Sequence, residues 1–383
     1  KVLNVPNLRF PEFQGEWEKC ILGDITENFN LRNKDKIQYP MFSVTNDRGF
    51  VPQSEQFEGR DMVGEDIKAY KIIHTNDFAY NPARINVGSI AMYTGEKPCM
   101  ISSLYVCFKT TKEVNNEWLM QLLKTPKMNY YYNVNGEGGV RVYLFYPNFA
   151  RIRMFIPKIE EQKKIAKLLN LIDERIATQN KIIEDLKKLK CAIIEKVYSE
   201  IQGKEYLYGQ LFDVVNERNK QMEYSNILSA SQEKGMVNRD DLNLDIQFER
   251  SNINNYKIVK KGDYVIHLRS FQGGFAFSDK LGVCSPAYTI LRPNSILEYG
   301  YLSNYFTSQR FIKSLVLVTY GIRDGRSINV EEWLRMKITI PPKEHQQYIV
   351  KVIGTFERKI EDEEAYAAQL SQQKQYLLRQ MFI

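Results

Sequence analysis

Histidine and cysteine are scarce, with three of the first and five of the second in 383 residues. The cysteines (Cys20, Cys99, Cys107, Cys191 and Cys284) are odd in number, scattered and never in a CxxC pair. This argues against a disulfide framework and a zinc site, so reduced thiols in the cytoplasm are expected. No apolar run approaches the ~18 residues of a membrane span, and no signal-peptide pattern stands at Lys1, so no membrane association is expected. A G-x-x-x-x-G-K-[ST] phosphate loop is missing, as is any defensible Ser/His/Asp set or metal cluster. These absences remove most catalytic classes. The net charge of +7 permits nucleic-acid binding without demonstrating it. Length predicts about two to three domains, each able to bury a core.

What the sequence does have is one long repeat. Residues 156–199 return at 340–383 with a constant shift of 184 and no gap. Pro157 falls on Pro341, Glu160 on Glu344, Gln162 on Gln346, Ile165 on Ile349, Lys167 on Lys351 and Lys190 on Lys374. A single repeat of this size marks the duplication of a large unit. In the first copy apolar residues recur at steps of three and four: Ile165, Leu169, Ile172, Ile176, then Ile183, Leu186, Ile193 and Val197. The second reads Ile349, Ile353, Phe356, Ile360, Ala367, Leu370, Leu377 and Met381. Each is a heptad seam, and each predicts a helix of roughly 60 Å. Two seam positions are polar in both copies, Gln179 and Lys190 in one, Glu363 and Lys374 in the other.

A mixed segment precedes each helix. The expected order is a lead-in at 1–16, a domain at 17–156, a helical spacer at 157–199, a second domain at 200–340 and a second spacer at 341–383. Within the first domain 70–73, 89–93, 104–108 and 152–156 read as strands, and 117–123 as a helix that Pro126 ends or follows with a new turn. Residues 133–142 read as a glycine loop and 200–205 as a hinge. The second domain repeats the first faintly. Leu211-Phe212-Asp213-Val214 echoes Leu22-Gly23-Asp24-Ile25, and Tyr256-Lys257-Ile258 echoes Tyr70-Lys71-Ile72. Ser285-Pro286-Ala287-Tyr288 falls on Ser102-Ser103-Leu104-Tyr105, and Trp333 on Phe149. Core-type positions persist while the loops between them diverge.

The paired Ile-Pro…Glu-x-Gln starts, each heading a heptad helix, and the order domain–helix–domain–helix resemble the specificity subunit of type I restriction-modification enzymes. The resemblance spans essentially the whole chain. It implies an α+β architecture of two duplicated mixed α/β target-recognition domains, separated by two long helices that form an intramolecular antiparallel coiled coil. It also implies that each domain reads one half of a split site in double-stranded DNA, while the helices set the gap. Two modification subunits would dock on the chain and transfer methyl groups from S-adenosylmethionine to adenine. Restriction subunits would add the nuclease, driven by ATP with Mg. No cofactor is expected in this chain. Consistent with that division, the Asn/Asp-Pro-Pro-aromatic turn that grips a flipped adenine is missing; Asn81-Pro82-Ala83-Arg84 lacks both the second proline and the aromatic.

Base reading needs polar side chains on loops held by a scaffold. Three loops per domain qualify, at equivalent places. The first holds Thr45, Asn46 and Arg48, matched by Ser231, Gln232 and Lys234. The second holds Asn81, Arg84 and Asn86, matched by His267, Arg269, Ser270 and Gln272. The third holds Arg141, matched by Arg323, Arg326 and Ser327. Any single exposed Arg or Asn is more often merely solvated, and Asp47, Asp77 and Asp324 read as turn formers. Tyr130, Tyr131 and Tyr132 suit base stacking, but such a helix flank more often packs. In the antiparallel pair Lys190 is expected to face Glu363, and Lys374 to face Gln179. A stand-alone DNA-binding regulator and a coiled-coil protein adaptor are the competing classes. The first lacks a recognisable helix-turn-helix, and the second does not explain divergent basic loops at matched places.

Overall fold

The computed structural model describes residues 4–56, 67–138, 142–231, 234–242, 250–267, 274–320 and 327–383. The chain forms two compact units, one of Lys1–Asn180 with Ala365–Ile383 and one of Lys181–Glu364. The first carries β1 (Glu18–Ile21), α1 (Leu22–Ile25), β2 (Thr26–Phe29), β3 (Phe42–Thr45), β4 (Gly49–Pro52) and α2 (Gln53–Gln56). Next come β5 (Lys71–Ile73), β6 (Phe78–Tyr80), β7 (Ile90–Met92), β8 (Cys99–Ile101) and β9 (Val106–Thr110). It closes with α3 (Asn116–Leu123), α4 (Pro126–Asn135), α5 (Tyr146–Ala150), β10 (Arg153–Ile156) and the start of α6 (Ile159–Ser199).

After α6 the second unit lays down β11 (Lys204–Leu207), β12 (Phe212–Val215), β13 (Leu228–Ser231), β14 (Gly235–Asn238) and β15 (Lys257–Val259). Then follow β16 (Tyr264–Ile266), β17 (Phe275–Phe277), β18 (Gly282–Cys284), β19 (Thr289–Pro293) and α7 (Gln309–Ser314). The hairpin of β20 (Thr319–Tyr320) and β21 (Ser327–Ile328) precedes α8 (Val330–Leu334), β22 (Lys337–Ile340) and α9 (Lys343–Met381).

The two units share one topology. A four-stranded antiparallel sheet runs β2-β9-β6-β7 in the first and β12-β19-β16-β17 in the second. The pairs β1-β10, β3-β4 and β5-β8 recur as β11-β22, β13-β14 and β15-β18. Side chains alternate across the middle strand, as a pleat requires. Phe78 and Tyr80 of β6 join Phe108, Trp118 and Phe149 in one core, while Ala79 joins Val44, Ile73 and Cys107 in another. In β16, Tyr264 and Ile266 join Trp333 and Phe306, and Val265 joins Leu228 and Cys284. Small motifs recur as well. Lys71 Nζ donates to the Tyr105 carbonyl at 2.6 Å, and Lys257 Nζ to that of Tyr288 at 2.6 Å. The expected duplication of a mixed α/β domain is therefore present at the level of hydrogen bonds.

The Glu-x-Gln motif has a structural cause. Gln162 is 1% exposed. Its Oε1 accepts the Asn115 N–H at 2.8 Å, and its Nε2 donates to the carbonyls of Pro157 and Glu113 at 2.9 and 3.2 Å. Gln346 repeats the arrangement with the Glu298 N–H and the carbonyls of Pro341 and Ile296. Each glutamine ties the first turn of a long helix to the domain before it.

Several local expectations shift. The strand expected at 104–108 starts at Val106, because Ser102 to Tyr105 forms a turn closed by Tyr105 N–H to the Ser102 carbonyl. Pro126 opens α4 at a position that needs no N–H, behind the Thr125 cap. α4 then reaches Asn135, inside the expected loop, since Asn133 and Asn135 each donate to the carbonyl four residues back. Part of the expected hinge is strand, because Lys204 and Glu205 pair with Ile340 and Thr339.

Within each unit a stretch of α6 packs antiparallel to a stretch of α9. In the first, Asp173 pairs with Lys374 and Arg175 stacks on Tyr366; in the second, Lys187 pairs with Glu364 and Lys190 with Glu357. The lysine partners differ from expectation. Lys190 Nζ reaches Glu357 at 2.7 Å in place of Glu363, and Lys374 Nζ reaches Asp173 at 2.5 Å in place of Gln179. Both partners lie six residues from the expected ones. Glu363 is paired with Lys359 of its own helix, so Lys190 lays its stem along the seam and meets the half-exposed Glu357 at the edge, as Lys374 meets Asp173. The two pairs are counterparts under the duplication, Lys190 matching Lys374 and Glu357 matching Asp173.

Candidate nucleic-acid interface

In the first unit three candidate loops meet. β3 and β4 are joined by a turn in which Thr45 Oγ1 accepts the Arg48 N–H at 3.1 Å and donates to the Gly49 carbonyl at 3.2 Å. Gly49 has φ +67°, a left-handed conformation that favours glycine. The turn rests on the second loop: a Cβ on Gly88 would stand 3.1 Å from the Asn46 carbonyl oxygen. In that second loop Asn81 Oδ1 accepts the Ala83 N–H, an Asx turn, and Asn86 Nδ2 donates to Asn133 Oδ1 of α4. The Leu144 N–H donates to the Pro82 carbonyl at 3.0 Å, which ties the segment after the third loop to the second loop. Glu137 and Tyr143 exchange two backbone bonds of 2.8 Å and close that third loop. Arg141 itself lies outside the described residues.

The geometry sorts the candidates by what occupies them. Thr45, Asn81 and Asn86 spend side-chain groups on loop structure. Asn46, Arg48 and Arg84 are exposed, and none has a side-chain hydrogen bond or ion pair among the described residues. Asp47 acts as a turn former; its carboxyl is held below the usual range by its own backbone N–H first, then by the Arg48 N–H and the Thr45 hydroxyl. Asp77 is also a turn former, accepting the His74 N–H at 2.8 Å. Tyr132 is buried and donates to the Leu123 carbonyl, which makes it a packing residue, whereas Tyr130 is exposed.

The second unit repeats the frame. Ser231 Oγ accepts the Lys234 N–H at 3.3 Å, and Gly235 has φ +68°. A Cβ there would meet the Phe277 carbonyl oxygen at 2.4 Å, so this turn is pressed onto β17. The His267 N–H donates to the Gly274 carbonyl at 3.0 Å and closes the second hairpin. Its half-buried imidazole is shifted down by burial, which keeps the ring neutral at neutral pH. Ser327 pairs with Tyr320 at the root of the third. Gln232, Arg269, Ser270, Gln272, Arg323, Arg326 and Asp324 lie outside the described residues. Elsewhere burial pushes the thiols of Cys99, Cys107 and Cys284 up to about 12, which leaves them protonated and poor nucleophiles.

Residues 14–188 and 204–372 each match the profile of the type I restriction modification DNA specificity domain. The chain belongs to that family. It carries the specificity domain twice and is a specificity subunit that recognises DNA. The candidate specificity subunit of the type I restriction enzyme MjaX from Methanocaldococcus jannaschii is 21% identical over 98% of this chain and 95% of its own. The specificity subunit of MjaVIII, from the same organism, is 27% identical over 50% of this chain and 44% of its own. Among solved structures, a chain from work on complex assembly and conformational transition of the type I R-M system aligns with TM-score 0.60. It shares 13% identity and covers 94% of this chain and 96% of its own. The type I S subunit from M. genitalium aligns with TM-score 0.56, 12% identity and 99% of both chains. At such identities these likenesses speak for the fold. Among the described residues no helix is long and apolar enough to cross a membrane.

Reading the specificity domain from sequence missed one exposed pair. Tyr143 and Phe145 stack with ring centroids 6.3 Å apart and planes 12° apart, beside the second and third loops. The signal was present in the aromatic run Tyr143-Leu144-Phe145-Tyr146, where only Leu144 and the helix behind it turn inward.

Proposed function

We propose that each unit reads one half of a split site in duplex DNA through its three loops, and that the chain performs no chemistry itself. In this reading two modification subunits bind the chain and carry S-adenosylmethionine, and restriction subunits bring ATP with Mg. The helices α6 and α9 set the spacing between half-sites. One observation carries the reading. The scaffold recurs down to single hydrogen bonds, while the residues at matched loop tips differ, as two readers of different sequences require.

The test is to combine the chain with a modification subunit and map methylated adenines in DNA. A split motif that is bound and methylated only by the mixture supports the reading. Full binding by the chain alone, with no methylation in any mixture, favours a stand-alone regulator. Exchange of residues 206–339 for those of another family member is expected to change one half of the motif and leave the other; a change in both halves would refute the modular reading.

Arg84 is the side chain best placed for a base edge, being exposed on a rigid turn. Arg84→Ala is expected to weaken binding by about 1–3 kcal/mol and to relax discrimination at one position of one half-site. Titrations against single-base variants at several salt concentrations check this. A uniform loss with a shallower salt slope would reassign Arg84 to a phosphate.

A further inference from the structure

The duplication supplies an internal control for exposed residues near the loops, and Phe145 departs from its counterpart in a way that costs the fold. α5 and α8 are counterparts, because Phe149 and Trp333 are both wholly buried and each donates its N–H to the residue that precedes the helix. In the second unit that residue is Asn329, whose Oδ1 accepts the N–H groups of Glu331 and Glu332 at 3.1 and 3.3 Å. Asparagine is among the strongest helix caps. In the first unit the place is held by Phe145, which makes no side-chain cap and leaves its ring 49% exposed. Two residues earlier Tyr143, 38% exposed, stands where the second unit has Ser327. Phe145 forgoes a cap and holds an apolar ring in water, so local folding does not account for it.

The backbone beneath the rings is fixed. Tyr143 is bonded to Glu137 on both sides, Leu144 is fully buried and tied to Pro82, and the Phe145 carbonyl accepts from Asn148 and Phe149. The pair is thus a rigid aromatic step beside the loops of the first unit, at positions where the second has Ser327 and Asn329. A protein partner that docks once on each unit would meet rings at these two positions on the first and a serine and an asparagine on the second. Two half-sites of different sequence have no such symmetry to respect.

On the reading given above, we infer that Phe145, backed by Tyr143, is a DNA wedge: it stacks on or enters a base step in the half-site read by the first unit. Apolar side chains do this at base steps that unstack easily, and the ring is indifferent to hydrogen-bond pattern. The wedge therefore selects for a deformable step and not for a base edge.

The test uses the complex with modification subunits and a duplex bearing its mapped motif, with 2-aminopurine placed in turn at each step of that half-site. The wild-type complex should raise the fluorescence at one step. Phe145→Asn, which installs the cap of the other unit, should lose that rise and bind about 10- to 100-fold more weakly, while the thermal midpoint of the free chain does not fall. Tyr143→Ser should weaken both effects partly. Wild-type affinity and fluorescence in Phe145→Asn would overturn the wedge, as would loss of the modification subunit in place of DNA affinity. A wild-type complex that binds no specific sequence would overturn the functional reading itself, and the wedge with it.

Discussion

Arg292→Met is expected to cost the second unit about 3–5 kcal/mol. Arg292 grips Asp263 through Nε and Nη2, both at 2.9 Å, and reaches Glu217 through Nη1 at 2.9 Å. The Asp263 side chain is 2% exposed and also closes the turn before β16 by accepting the Lys260 N–H at 2.8 Å. Methionine keeps the packing of the stem and strands the carboxylate, and an uncompensated buried charge is what makes breaking such a pair costly. The first unit offers the control. There Lys109, more than half exposed, stands 3.8 Å from Asp77, so Lys109→Met should cost about 1 kcal/mol or less. Burial shifts the Asp77 carboxyl upward in the folded state. The folded state then holds the Asp77 proton more tightly than the unfolded one, so this group lowers stability as pH rises from its unfolded to its folded pKa. Urea unfolding followed by tryptophan fluorescence reads the units separately, since Trp333 reports on the second and Trp17 and Trp118 on the first. Equal losses in the two variants would sink the argument.

The second large effect concerns Gln162. Gln162→Leu removes three hydrogen bonds at a buried site, and at roughly 1 kcal/mol each the loss is about 3 kcal/mol. The Asn115 N–H is the more costly orphan, because it heads α3 and is shielded from water. The change should lower the midpoint of the first unit and leave that of the second, while Gln346→Leu should do the reverse. A single shared shift would mean that the two units unfold as one. The same glutamine position thus gives one prediction twice, in two environments.

Much of this was legible in the sequence because duplication and heptad spacing are long-range signals that no single loop can disguise. The shift of 184 aligned Gln162 with Gln346 and Lys190 with Lys374, and both pairs do equivalent work in the fold. The partner of each lysine was not legible. A heptad pattern fixes which residues face the seam, but a lysine stem spans more than a turn and has several acids within reach. Glu363 pairs with Lys359 of its own helix, and Lys190 takes Glu357. Among the loops, residue type marked the right places but not the allocation within them. Asn81 and Asn86 look equivalent to Arg84 as polar loop residues, yet Asn81 Oδ1 holds the Ala83 N–H and Asn86 Nδ2 holds Asn133, whereas the Arg84 guanidinium holds nothing among the described residues. Phe145 escaped notice because an aromatic residue before a short helix is ordinary as sequence. Only beside Asn329, with both backbones in view, does it become an anomaly.

The first unit is assembled from distant parts of the chain. The Leu8 N–H donates to the Gln380 carbonyl at 2.9 Å, Arg9 holds Glu161 with two bonds of 2.8 Å, and the ring of Phe382 packs on Trp118. The second unit is one continuous stretch. A ribosome therefore makes the two parts of the first unit with the whole of the second between them. Residues 4–180 must wait, with Trp118 and Leu169 lacking the cover of Phe382 and Leu378, while residues 181–364 are being made. The domain begun first is finished last, and during that interval it is the half of the protein that a chaperone would hold.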